Sequence, residues 1–83
     1  MASGKFFVYI IRSSEGYTYT GMSDDPERRL EEHNNHTLSF WTKRGTDWKI
    51  IHTEEFETRS EALEREKWFK TGIGRKFVKS INK

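Results

Sequence analysis

Hydrophobic and polar positions set out six segments along the chain. Lys5 to Arg12 is a run of β-branched and aromatic residues, which predicts a strand. Side chains alternate along a strand, so Phe7, Tyr9 and Ile11 face one way and Phe6, Val8 and Ile10 the other. Both faces are apolar, which places this strand at the centre of a sheet covered on two sides. Ser13 to Gly16 supplies a turn, and Tyr17 to Met22 returns as a second strand with Tyr17, Tyr19 and Gly21 on one face. The spacing alone does not settle the hairpin register, and a slip of one residue would send Tyr9 and Tyr19 to opposite faces.

Ser23, Asp24 and Asp25 ahead of Pro26 mark a helix start, and the helix runs to about Asn34. Its Arg28 and Glu32 stand one turn apart, a spacing at which opposite charges pair. His36 to Asp47 is polar and irregular. Phe40, Trp41, Lys43 and Arg44 in it either grip a nucleic-acid backbone or pin the loop to the body. Trp48 to Phe56 predicts a third strand. Thr58 with Glu61 has capping-box spacing, so a second long helix begins there. That helix continues to Lys70 or Thr71, with Gly72 as its stop, and Phe77, Val78 and Ile81 suggest a short closing helix. The expected architecture is α/β: a small three-stranded, mainly antiparallel sheet flanked by helices, in the order β-β-α-β-α-α.

Length and composition narrow the function classes. Eighty-three residues make one small domain with a thin core, since a chain of this size hides only about 60% of its unfolded surface. There are no cysteines, which removes disulfides, thiolate zinc sites and thiol nucleophiles together. The first residues lack the apolar run of a signal segment and no stretch is long enough to span a bilayer, so the expectation is a soluble, cytoplasmic protein with no membrane partner. The net charge of +2 is modest, but all thirteen acids lie between Glu15 and Glu66. Beyond them come Lys67, Lys70, Arg75, Lys76, Lys79 and Lys83 with no acid, a basic end that fits a polyanion or a plain solvated face.

Candidate chemistry concentrates between Phe7 and Asn34. Tyr9 and Tyr19 are ten residues apart on paired strands, Arg29 follows ten further on, and His33 shares a helix face with Arg29. Each has an ordinary reading of its own: a strand tyrosine packs, and a helix arginine is solvated. His33 and His36 have zinc-like spacing, but no third ligand accompanies them. A projection at 3.6 residues per turn sets Glu66 on a stripe with Ala62, Leu63, Phe69 and Ile73, where a carboxylate is costly unless paired.

Taken together, these residues resemble the GIY-YIG nuclease module in its small single-domain form. Phe7-Val8-Tyr9 falls on the first triplet and Tyr19-Thr20-Gly21 on the second, the helix from Pro26 to Asn34 looks like the segment carrying the family's arginine, and Ala62-Leu63 followed by Glu66 fits its later acid. The resemblance places both phenols on one face. It implies a metal-dependent DNA endonuclease in which Tyr9, Tyr19, Arg29 and His33 are catalytic and Glu66 holds Mg²⁺ or Mn²⁺. Lys43, Arg44, Lys70, Arg75 and Lys76 are the expected nucleic-acid contacts. Phe7 and Thr20 depart from the triplet pattern, and Met22 stands where some relatives carry a lysine. The chain carries no separate DNA-binding domain, so a protein partner that supplies target choice belongs to the expectation. Two other readings stay open: a non-catalytic nucleic-acid-binding module of the same fold, and an interaction domain docking an acidic protein through its basic end.

Overall fold

The computed structural model describes residues 4–35 and 44–82. Six elements follow the expected order: β1 (Phe6–Arg12), β2 (Thr18–Ser23), α1 (Pro26–Asn34), β3 (Lys49–Phe56), α2 (Arg59–Phe69) and α3 (Gly72–Ile81). The sheet is fully antiparallel in the order β2-β1-β3, so β1 is central. Val8 to Ile11 are each 2% exposed or less, as a strand covered on both faces must be. Tyr17 falls in the turn rather than the strand and is exposed. Among the described residues no helix is long and apolar enough to cross a membrane.

Strand alternation divides the interior into two cores. Val8 and Ile10 meet Ala62, Phe69 and Val78 under α2 and α3. Tyr9 and Ile11 meet Trp48, Leu30 and Ile50 under α1. β3 serves both by alternation, Ile50 pairing with Ile11 on the α1 side and Ile51 joining the other core, and a register shift between Ile10 and Ile11 leaves Ile51 as the extra residue.

Local chemistry sets the helix ends. Asp25 caps α1 by accepting from the Arg28 N–H at 3.2 Å, with Pro26 in the first turn. Thr58 and Glu61 close the expected capping box on α2. Gly72 does not merely stop α2, because it opens α3, which Thr71 caps by accepting from the Gly74 N–H. Gly74 then lies against the Trp68 carbonyl and the Phe69 backbone, where a Cβ would collide. The apolar stripe read across this break is therefore narrower than expected: Ile73 belongs to α3 and is 70% exposed, and Leu63 is also exposed. The expected Arg28–Glu32 pair does not form. Arg28 reaches back to Asp24 at 3.5 Å and Glu32 takes Arg29 at 3.3 Å.

Two polar fasteners hold the layers. Arg65 of α2 donates from Nε and a terminal nitrogen to the two Glu54 oxygens at 2.7 and 3.1 Å, with its guanidinium 4.1 Å above the Trp68 ring. Burial works against the Glu54 carboxylate, but the hydrogen bonds from Arg65 and His52 hold it below its usual range. On the other face, Asn34 at the end of α1 accepts from the Trp48 N–H at 2.7 Å and donates to the Trp48 carbonyl at 3.1 Å. One side chain thus satisfies the whole Trp48 peptide edge and ties α1 to the start of β3. Replacing it strands both groups of a buried residue, so Asn34→Ala should lower the unfolding free energy by about 2–3 kcal/mol, against roughly half that for Asn34→Asp. Urea unfolding midpoints at constant slope check the ranking.

Candidate active site

The hairpin register pairs Tyr9 with Gly21 and Ile11 with Tyr19. Residues directly opposite share a face, so Tyr9 and Tyr19 are diagonal neighbours on the α1 side of the sheet. Their ring centroids are 6.4 Å apart. Gly21 explains how they fit, because the Tyr9 ring lies across it. A Cβ on Gly21 would stand 2.5 Å from Tyr9 Oη and 2.6 Å from Cζ.

His33 drops from α1 into this space and is fully buried. Its Nε2 shares a 2.9 Å hydrogen bond with Tyr9 Oη, and its ring centroid is 4.8 Å from that of Tyr19. Burial pushes the Tyr9 phenol well above its ordinary value, and the Tyr19 phenol adds to the rise while Arg29 opposes it. Burial also pushes the His33 imidazole down, as does the Arg29 charge. Both partners are therefore neutral near pH 7, a proton-sharing pair rather than an ion pair.

Arg29 sits one turn before His33, and its charge bears on both members of the pair. It donates to Glu32 at 3.3 Å, while its Nε is buried without a hydrogen-bond partner among the described residues. Glu66 approaches from α2, across the sheet from α1, and its charge also bears on Tyr9. Its side chain is only 18% exposed and meets Lys70 at 3.5 Å, one helical turn on. The costly seam position thus has a partner, though a mostly exposed one.

The expected nucleic-acid contacts divide. Lys70, Arg75 and Lys76 come together on the walls of one groove that Tyr19 also lines. Arg44 stands apart from it, just ahead of β3 on the exposed surface. Lys43, Phe40, Trp41 and His36 lie outside the described residues. Trp48, Asn34 and Gly21 build the site without standing out as candidates in the sequence. The side-by-side isoleucines of β3 and the glycine closing Tyr19-Thr20-Gly21 are the available signals, and both need the sheet register to be read.

Known proteins share this arrangement. The family model described as the GIY-YIG catalytic domain matches residues 5–77. A UPF0213 protein of Staphylococcus saprophyticus is 37% identical over 78 residues, covering 94% of this chain and 95% of its own. Another, from Staphylococcus aureus, is 39% identical over 75 residues, covering 90% and 92%. The solution NMR structure of the UPF0213 protein from Bacillus halodurans has a TM-score of 0.55 at 24% identity, covering 93% of this chain and 84% of that one, a likeness of fold.

Two outcomes follow from the geometry. Unfolded His33 takes a proton near pH 6.5 and folded His33 only at lower pH, so between those values the unfolded chain binds more protons. Stability from this residue is complete above about pH 6.5 and falls as the pH drops through the window. Melting temperatures across pH 7.5 to about 5 should show the decline in the parent protein and a shallower one in His33→Gln. Gly21→Ala should cost about 1–3 kcal/mol as the Tyr9 ring is displaced. In the same variant the His33 titration, followed by NMR, should move back toward the ordinary imidazole value.

Proposed function

Because the chain belongs to the GIY-YIG catalytic domain family, we propose that it is a metal-dependent endonuclease that hydrolyses phosphodiester bonds in DNA. The observation that carries this reading is the convergence of Tyr9, Tyr19 and His33 on one face, around a buried 2.9 Å hydrogen bond, with Arg29 beside them. A packing role explains one buried tyrosine. It does not explain two phenols and an imidazole kept in reach of each other and of an arginine whose buried Nε lacks a partner among the described residues.

Each side chain has a role its surroundings favour. Tyr19, on the edge strand with its ring beside His33, meets the attacking water, whose proton it takes as it gives up its own. A phenol of ordinary pKa about 10 is a weak base at neutral pH, so it needs such a relay. The Tyr9–His33 pair lies behind it, and neutral His33 can accept a proton while Tyr9 holds its own and fixes the ring. Arg29, whose side chain is 34% exposed although its Nε is buried, offers the terminal nitrogens of its guanidinium to the oxygens of the phosphate as charge builds on them.

GIY-YIG nucleases generally use divalent metals. Among the described residues no three His, Asp or Glu side chains gather into a cage. A single carboxylate fits Mg²⁺ or Mn²⁺ all the same, because such ions keep several waters and bind substrate phosphate as well. Glu66, with its charge felt at Tyr9 and one weak lysine partner, is the residue that would hold it. When bound, the ion would neutralise charge at the phosphoryl oxygens and the leaving group.

The test is to incubate supercoiled, branched and single-stranded DNA with Mg²⁺ or Mn²⁺ and look for nicks. Cutting is expected, with Tyr19→Phe, Arg29→Ala and Glu66→Gln each at least about 100-fold slower. Glu66→Gln should melt close to the parent without metal, since its ion pair is mostly solvent-screened, and should lose any rise in melting temperature on adding Mn²⁺. Binding of DNA with no nicks on any substrate would leave the fold as a nucleic-acid-binding module instead.

A further inference from the structure

A groove of about 640 Å³ runs between β2, at the edge of the sheet, and helices α2 and α3. Four cations line it, Lys70 from the end of α2 and Arg75, Lys76 and Lys79 from α3, with no acidic residue among them. None of the ion pairs among the described residues involves the three from α3. Their spacing puts like charges three and four residues apart on one helix face, an arrangement that repels itself unless an anion lies across it. The floor is apolar, formed by Phe69 and Val78, and the β2 wall carries the hydroxyls of Thr18 and Thr20.

We propose that this groove is the track for the sugar–phosphate backbone of one nucleic-acid strand, the strand being cut, on one side of the scissile bond. Its volume is that of sites proteins build for single small molecules, room for a nucleotide or two and not for a double helix. A cationic rim along a groove that tracks the backbone is how proteins hold single strands without reading sequence. Tyr19 is part of the β2 wall while its ring lies on the α1 face of that edge strand, so a backbone that leaves the groove over the β2 edge passes to the proposed base. The track therefore rests on the nuclease reading for its purpose, but not for its binding chemistry.

The experiment measures binding of a short fluorescent single-stranded oligonucleotide by anisotropy across a salt series, in EDTA so that no cutting intervenes. Arg75→Gln, Lys76→Gln and Lys79→Gln combined should lower the slope of log affinity against log salt by about 2, at roughly 0.7 for each phosphate no longer neutralised. Lys76→Gln alone should lower it by about 0.7. All three residues are exposed or at the groove wall, so near-parent melting temperatures are expected. Lys49→Gln with Arg59→Gln, two exposed cations outside the groove, is the control and should change nothing. A triple variant with parental slope and affinity, or a control that loses as much, overturns the track. If the parent nicks DNA while the triple variant binds as the parent does, the groove fails and the nuclease reading stands. If the triple variant loses binding while the parent never nicks, the groove stands and the nuclease reading fails.

Discussion

Everything in this fold follows from keeping β1 dry on both faces with only three strands to work with. Val8 to Ile11 are shut away from water on both sides, and the sheet is too narrow to do that without helices above and below it. The chain uses the two sides differently. Phe6, Val8 and Ile10 go into a plain apolar core with α2 and α3, while Tyr9 and Ile11 share their face with His33. The strand that stabilises the domain is therefore also the one that presents its chemistry, with alternate residues assigned to each task.

The α1 side shows what burial does to polar groups placed there on purpose. Taking Tyr9 and His33 out of water moves their proton affinities in opposite directions, one up and the other down. Neither then carries charge, so the hydrogen bond between them costs no ion desolvation. The charges stay at the rim: Arg29 remains partly exposed and engaged with Glu32, and Glu66 leans on Lys70. A neutral centre with charged edges can be buried without metal or substrate, which a site of bare charges in so small a domain could not.

The sequence is legible where local rules act. The strand of β1 shows in its run of β-branched and aromatic residues, and the starts of α1 and α2 show in Asp25, Pro26 and the Thr58–Glu61 box. Tyr9, Tyr19, Arg29, His33 and Glu66 can be named from their spacing and the family likeness. What escapes depends on contacts between distant segments. Whether Tyr9 and Tyr19 share a face is a matter of register, decided by Gly21 opposite Tyr9. The break between α2 and α3 depends on how closely Gly74 can approach Phe69, which no periodicity encodes, and so a stripe projected through Ile73 runs across two helices. Arg28 pairs with Asp24, one turn back, and Glu32 with Arg29, a choice between partners of similar spacing that local rules leave open.

The Asn34–Trp48 fastener has a consequence for how such a domain can diversify. It joins the two ends of the stretch from 35 to 47 by a pair of hydrogen bonds, immediately after His33 and immediately before β3. The returning end is tied down further, the Ser14 N–H donating to the Thr46 carbonyl at 2.9 Å and Thr46 donating to Glu15, so both points of attachment are fixed on the body. Lengthening the stretch between them costs closure entropy only logarithmically, about 0.6 kcal/mol for each doubling. The position is thus a socket: residues can be added, exchanged or removed there while the proton-sharing pair one residue away keeps its geometry. A domain of 83 residues has, at that socket, room to acquire a targeting element without rebuilding its core.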